Sequence, residues 1–124
     1  MTQESSREST LTRTHKPWTR WWWMGGALTN AEITLSLERF HDAGFGGVEV
    51  SPIYGARGYE DRAVAFLSPE WMALFAHTLR EAEQLDMGVD LIAGTGWPFG
   101  GPWVSDADSA SHLWMETLPT SVTS

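Results

Sequence analysis

The sequence predicts an α/β fold of about three parallel strands connected by two main helices. Two observations carry this. Short aromatic or β-branched runs alternate with single stretches whose apolar residues recur every three or four positions. Each change of element is marked by a glycine, a proline or a helix-capping residue. Strand, helix and strand in succession imply parallel pairing through right-handed crossovers.

Residues 1–17 are rich in Ser, Thr and charge, lack an apolar period and close at Pro17, so they read as a flexible leader. Order is expected from Trp18, because Trp18, Trp21, Trp22 and Trp23 concentrate half of the eight indoles in six residues and read as a buried strand. Gly25 and Gly26 turn the chain. Thr29 with Glu32 three residues later forms a capping box ahead of Ile33, Leu37 and Phe40, which predicts a helix from about Ala31 to Ala43. Gly44 supplies its left-handed stop, and Gly46-Gly47-Val48-Glu49-Val50 reads as a second strand ending at Ser51-Pro52. Ile53 to Leu67 is too polar and glycine-broken for a regular element and reads as a long loop.

Ser68 as N-cap and Pro69 at the first helical position start a second helix, with Met72, Phe75, Leu79 and Ala82 on one face, running to about Asp86. Val89 to Ala93 is the third strand, followed by a loop from Gly94 to Trp103 broken by glycine and proline. A short helix is expected over Asp106 to Ser111, and residues 113–124 form an unpatterned tail. Three strands are too few for a closed eight-stranded barrel, which takes about 250 residues, so the chain reads as the first part of something larger.

Composition narrows the function classes. With 124 residues, 42% hydrophobic and 19% charged, the chain is one domain at most, able to pack a core and unlike a disordered tail. Net charge is -8, and beyond residue 20 there are four basic against fourteen acidic side chains. A surface of that sign repels phosphate backbones, and Lys16 is the only lysine, so nucleic acid and P-loop chemistry lose support and small neutral ligands fit better than polyanions. The absence of cysteine removes disulfides, thiolate nucleophiles and Cys-based metal sites. No apolar signal region and no run approaching about 18 apolar residues is present, which predicts no membrane partner and a cytoplasmic chain as given.

In a parallel α/β sheet, ligands bind at the carboxyl ends of the strands, here Trp23 to Gly26, Ser51 to Tyr54 and Gly94 to Trp103. The third segment presents Trp97, Phe99 and Trp103 on backbone that a ligand can approach closely, which suits sugars; the same aromatics could instead plug a barrel top or cover a sheet edge. It is a poor phosphate cradle, because Gly94-Thr95-Gly96 lacks the third glycine and Pro98 removes an amide donor. Glu49 points opposite to Val48 and Val50, so it is either a site carboxylate in the upper interior or a structural one satisfied by Arg20 or a neighbouring strand. Asp90 repeats the pattern but is placed lower on its strand, which favours a structural role. Glycoside hydrolysis needs two carboxylates, and beyond Glu49 no clear second one stands out: Glu60 and Asp61 in the long loop could swing over a site, although an exposed pair beside Arg62 is more often a solvated loop or a salt bridge. The four histidines show no ligand spacing, and no cofactor is evident in the chain itself.

Four motifs occur in one order: Pro17-Trp18-Thr19-Arg20-Trp21-Trp22-Trp23-Met24, Ala43-Gly44-Phe45-Gly46-Gly47-Val48-Glu49-Val50, Leu67-Ser68-Pro69-Glu70-Trp71, and Gly94-Thr95-Gly96-Trp97-Pro98-Phe99-Gly100-Gly101-Pro102-Trp103. In these motifs the chain resembles the amino-terminal part of the catalytic barrel of glycoside hydrolase family 106, the α-L-rhamnosidase-like enzymes, from about Pro17 to Val104. The resemblance implies a partial (β/α)₈ barrel over residues 18–112, part of a larger inverting, carboxylate-based hydrolase acting on rhamnose-containing glycosides, with calcium in some members' sites. It places Trp21, Glu49, Tyr54, Thr95 and Trp97 at or near the sugar pocket as lining residues, and puts the catalytic carboxylates on later strands, so none is assigned here. By itself the chain is expected to be inactive and to self-associate through an open sheet face. The rival readings are a non-catalytic carbohydrate-binding or assembly module, and part of another sugar-active barrel such as an isomerase.

Overall fold

The computed structural model describes residues 12–96 and 99–117. Strand β1 (Trp18–Met24), helix α1 (Asn30–Asp42), strand β2 (Gly47–Ile53), helix α2 (Pro69–Gln84) and strand β3 (Gly88–Leu91) follow in order. The strands form one parallel sheet, β1-β2-β3. The architecture is the predicted α/β one, a partial barrel of three strands and two helices.

Both helices begin where the chemistry requires. The Thr29 hydroxyl accepts from the Glu32 amide while the Glu32 carboxylate accepts from the Thr29 amide, closing the capping box of α1. The Ser68 hydroxyl accepts from the Trp71 amide ahead of Pro69 in α2. Ile33 and Leu37 of α1 and Trp71, Thr78 and Ala82 of α2 are buried, so each helix turns its apolar stripe to the sheet.

The core lies between the sheet and both helices. Trp21 meets Phe40 of α1 edge-on with centroids 5.7 Å apart, and Trp23 packs at 5.4 Å on Trp71 and 6.4 Å from Phe75 of α2. Val48 and Val50 of β2 complete it. Two alternate residues of β1 thus reach the two helices, which puts α1 and α2 on the same side of the sheet.

Among the described residues no helix or further strand covers the opposite side of the sheet. This corrects the reading of β1 as a buried strand: Trp23 is 0% exposed, whereas Trp22, next to it and on the other face, is 44% exposed. Two boundaries also differ. Arg13–His15, assigned to the leader, form a 3₁₀ turn whose Arg13 carbonyl accepts from the Trp18 indole at 3.2 Å, so ordered contacts begin before Trp18; residues 1–11 lie outside the described residues. Asp106 to Ser111 is a turn and not a helix, because the Ser105 hydroxyl bonds the Asp108 carboxylate at 2.6 Å and the Ser109 hydroxyl bonds the Asp106 carbonyl, local bonds that compete with a helical ladder.

Candidate functional site

Parallel register aligns Arg20, Glu49 and Asp90 as neighbours across β1, β2 and β3. Each has the opposite parity to the core residues of its strand, so all three stand on the open face, which in a closed barrel is the interior. The Arg20 Nε donates to Glu49 Oε1 at 2.6 Å, and the Ser51 hydroxyl lies 3.5 Å from the same oxygen. The Arg20 guanidinium also sits 5.5 Å from the centroid of the Trp22 ring. A cleft of about 330 Å³ lies here, lined by Trp18, Thr19, Arg20, Glu49 and Asp90. Both members of the ion pair are partly exposed, so the pair adds little to stability and its effect is to orient the carboxylate.

Above this row, the carboxyl ends of the strands are tied together by backbone bonds. The Gly25 amide donates to Ile53 at 2.7 Å, the Ile92 amide to Val50 at 3.2 Å and the Gly96 amide to Pro52 at 2.9 Å. Thr95 is buried and shapes the loop after β3: its hydroxyl donates to the Gly100 carbonyl, whose amide donates back to Thr95 at 2.8 Å. Tyr54 is exposed at the rim and meets Trp103 edge-on with centroids 5.6 Å apart.

The five residues expected at the pocket are therefore spread over different places. Glu49 faces the open side, Tyr54 and Thr95 form part of the rim, and Trp97 lies outside the described residues. Trp21 is on the other side of the sheet, 8% exposed against Phe40 and Trp23, and does not meet the rest. Its burial follows from parity: Trp21 and Trp23 share a face, and the helices cover that face.

Sequence reasoning passed over Arg20, Trp22 and Asp90 as a group with Glu49. Asp90 is level with Glu49, and not lower, because β3 starts at Gly88, which pairs with Gly47 at the foot of β2. The strand alternation carried a signal for the group, but it could be used only once the register was known.

Among the described residues no three His, Asp or Glu side chains gather as a metal-binding group, and the Glu49 carboxylate is bonded to Arg20. Among the described residues, no helix is long and apolar enough to cross a membrane.

Helices covering one face of a parallel sheet, with charge and aromatic rings on the other and glycine-rich loops at the strand ends, define a segment of an α/β barrel. The chain belongs to glycoside hydrolase family 106, the alpha-L-rhamnosidases, whose signature matches residues 9–120. Over 88 residues, 68% of this chain, it is 29% identical to a protein of Formosa agariphila named "Putative beta-glucuronidase". Its fold matches a rhamnosidase from Novosphingobium sp. PP1Y with a TM-score of 0.64 and 28% identity over 77% of this chain. The chain spans 7% of the length of the first and 9% of the second.

Proposed function

We propose that the chain is a wall of the catalytic (β/α)₈ barrel of an inverting α-L-rhamnosidase-like glycoside hydrolase, and that its open face contacts the sugar. The observation that carries this reading is the Arg20–Glu49–Asp90 row, flanked by Trp18 and Trp22, on the face that a closed barrel would turn inward. Family membership supports the hydrolase class.

Glu49 acts in binding. Arg20 engages Oε1, which leaves the other carboxylate oxygen to accept from a sugar hydroxyl, while Asp90 alongside offers a second acceptor. The ring of Trp18, which lines the same cleft, gives the apolar face of a pyranose a surface to lie on. The general acid and base come from strands other than these three, so the isolated chain binds without hydrolysing.

The test is a titration of the chain with L-rhamnose, read on the tryptophan indole signals by NMR. The expected result is a saturable shift that weakens about tenfold or more in Glu49→Ala, the loss of one good charge-assisted hydrogen bond. Rhamnose that moves no indole, or that binds Glu49→Ala as well as the parent, would overturn the reading. Release of rhamnose from a chromogenic rhamnoside by the chain alone would refute the placement of the acid and base elsewhere.

A further inference from the structure

A second cleft, of about 480 Å³, opens at the carboxyl end of β1 and is separate in its lining from the Glu49 row. Trp22, Met24, Leu28, Ala56, Arg57 and Tyr59 line it. Its two aromatic walls are braced from outside by guanidinium groups, each tied to its own carboxylate. Arg20, bonded to Glu49, sits over Trp22, and Arg62, bonded to Glu32 at 2.9 Å and 3.0 Å, lies 5.9 Å from the centroid of Tyr59.

Arg57 differs from these two. It lines the cleft, yet among the described residues no carboxylate stands within ion-pair distance of it, although the chain holds sixteen Asp and Glu against eight Lys and Arg. In so acidic a chain, a cation in an aromatic cleft that engages none of the surrounding carboxylates is positioned to meet a negative group brought by a ligand.

We infer that this cleft is a subsite for a sugar residue bearing a carboxylate, a uronic acid, with its ring between Trp22 and Tyr59 and its carboxylate on the Arg57 guanidinium. The inference rests on the carbohydrate-binding reading above and extends it to a second subsite with a different chemistry. Met24 and Leu28 give the cleft an apolar floor that excludes water from the ring, and the planar fork of Arg57 matches a carboxylate in two parallel hydrogen bonds. The overall negative charge of the chain opposes anions in general, so the selectivity is local to Arg57.

The test compares sodium D-glucuronate with D-glucose, which has the same ring with a hydroxymethyl group in place of the carboxylate. Both are titrated into the full chain, and the Trp22 indole signal, identified by its loss in Trp22→Phe, is followed by NMR. Expected are saturable binding of glucuronate, binding of glucose weaker by about tenfold or more, and a similar loss for glucuronate in Arg57→Gln with partial retention in Arg57→Lys. Arg57 is exposed, and circular dichroism melts serve as the check that both variants fold.

Equal binding of the two sugars, an unchanged affinity in Arg57→Gln, or no response of Trp22 to glucuronate would each overturn the subsite. Rhamnose binding that depends on Glu49, with glucuronate silent, would sink this inference and leave the rhamnosidase reading standing. Glucuronate binding that depends on Arg57, with rhamnose silent, would do the reverse.

Discussion

Trp23→Phe tests how the core is held. Trp23 is fully buried between Trp21, Trp71 and Phe75, and its indole Nε1 has no hydrogen-bond partner among the described residues. An unmet buried donor costs about 1–3 kcal/mol, and phenylalanine removes it. Against that, the smaller ring leaves a space of about 40 Å³, worth about 1 kcal/mol at the usual cavity coefficient. The lost apolar contact adds roughly 1 kcal/mol more. The opposing terms nearly cancel, so the expected change in stability lies within about 1 kcal/mol of zero, whereas Trp23→Ala, which empties the site, should cost about 3–5 kcal/mol. Urea unfolding followed by far-ultraviolet circular dichroism gives both values, with the slope checked for constancy. If Trp23→Phe costs as much as Trp23→Ala, the indole N–H is not an unmet donor and the accounting is wrong.

Three further substitutions address the rim and the first helix. Gly26 has φ +62°, and a Cβ there would lie 2.7 Å from the Val64 carbonyl oxygen, a backbone atom that cannot swing aside, whereas Gly44 at φ +90° has open space around it. Gly44→Ala should therefore cost only the left-handed strain of about 1–2 kcal/mol, and Gly26→Ala clearly more, as separated by their thermal midpoints. The pKa of Glu32 is lowered first by its hydrogen bond from Arg62 and then by the backbone amide of Thr29. A carboxylate with a lowered folded-state pKa contributes stability that is present above the unfolded value of about 4.3 and lost as pH falls through the folded one. Melting temperature should therefore drop on acidification below that range, with a shallower acid limb in Glu32→Gln; an unchanged limb would show that the Arg62 clip does not hold α1.

The helices were legible because their ends are written in side-chain chemistry. Thr29 with Glu32, and Ser68 with Pro69, make local contacts that need no partner from elsewhere, and α1 and α2 begin within one residue of expectation. The faces of β1 were not legible, because Trp21, Trp22 and Trp23 place an indole at every position and the alternation that distinguishes core from exterior is lost. Only the positions of α1 and α2 decide that Trp21 and Trp23 are core and Trp22 is not. The pairing of Glu49 with Arg20 was foreseen as one of two readings, and the structure shows the ion pair; whether it also serves a sugar is what the rhamnose titration asks. Asp90 was misplaced by a start of β3 set one residue late, since level across a sheet is a property of register and not of local sequence.

The foot of the sheet carries its own device. The Trp18 ring lies across both Gly47 and Gly88, the first residues of β2 and β3, so closely that a Cβ at either would overlap it. Sliding β3 by one residue either way would bring Met87 or Val89 under the indole in place of hydrogen, and sliding β2 one way would bring Val48 there, abolishing the fit. Trp18 is thus a gauge block for strand alignment: it fixes β3 in both directions and β2 in one, and the row of Arg20, Glu49 and Asp90, two residues further on, inherits that phase.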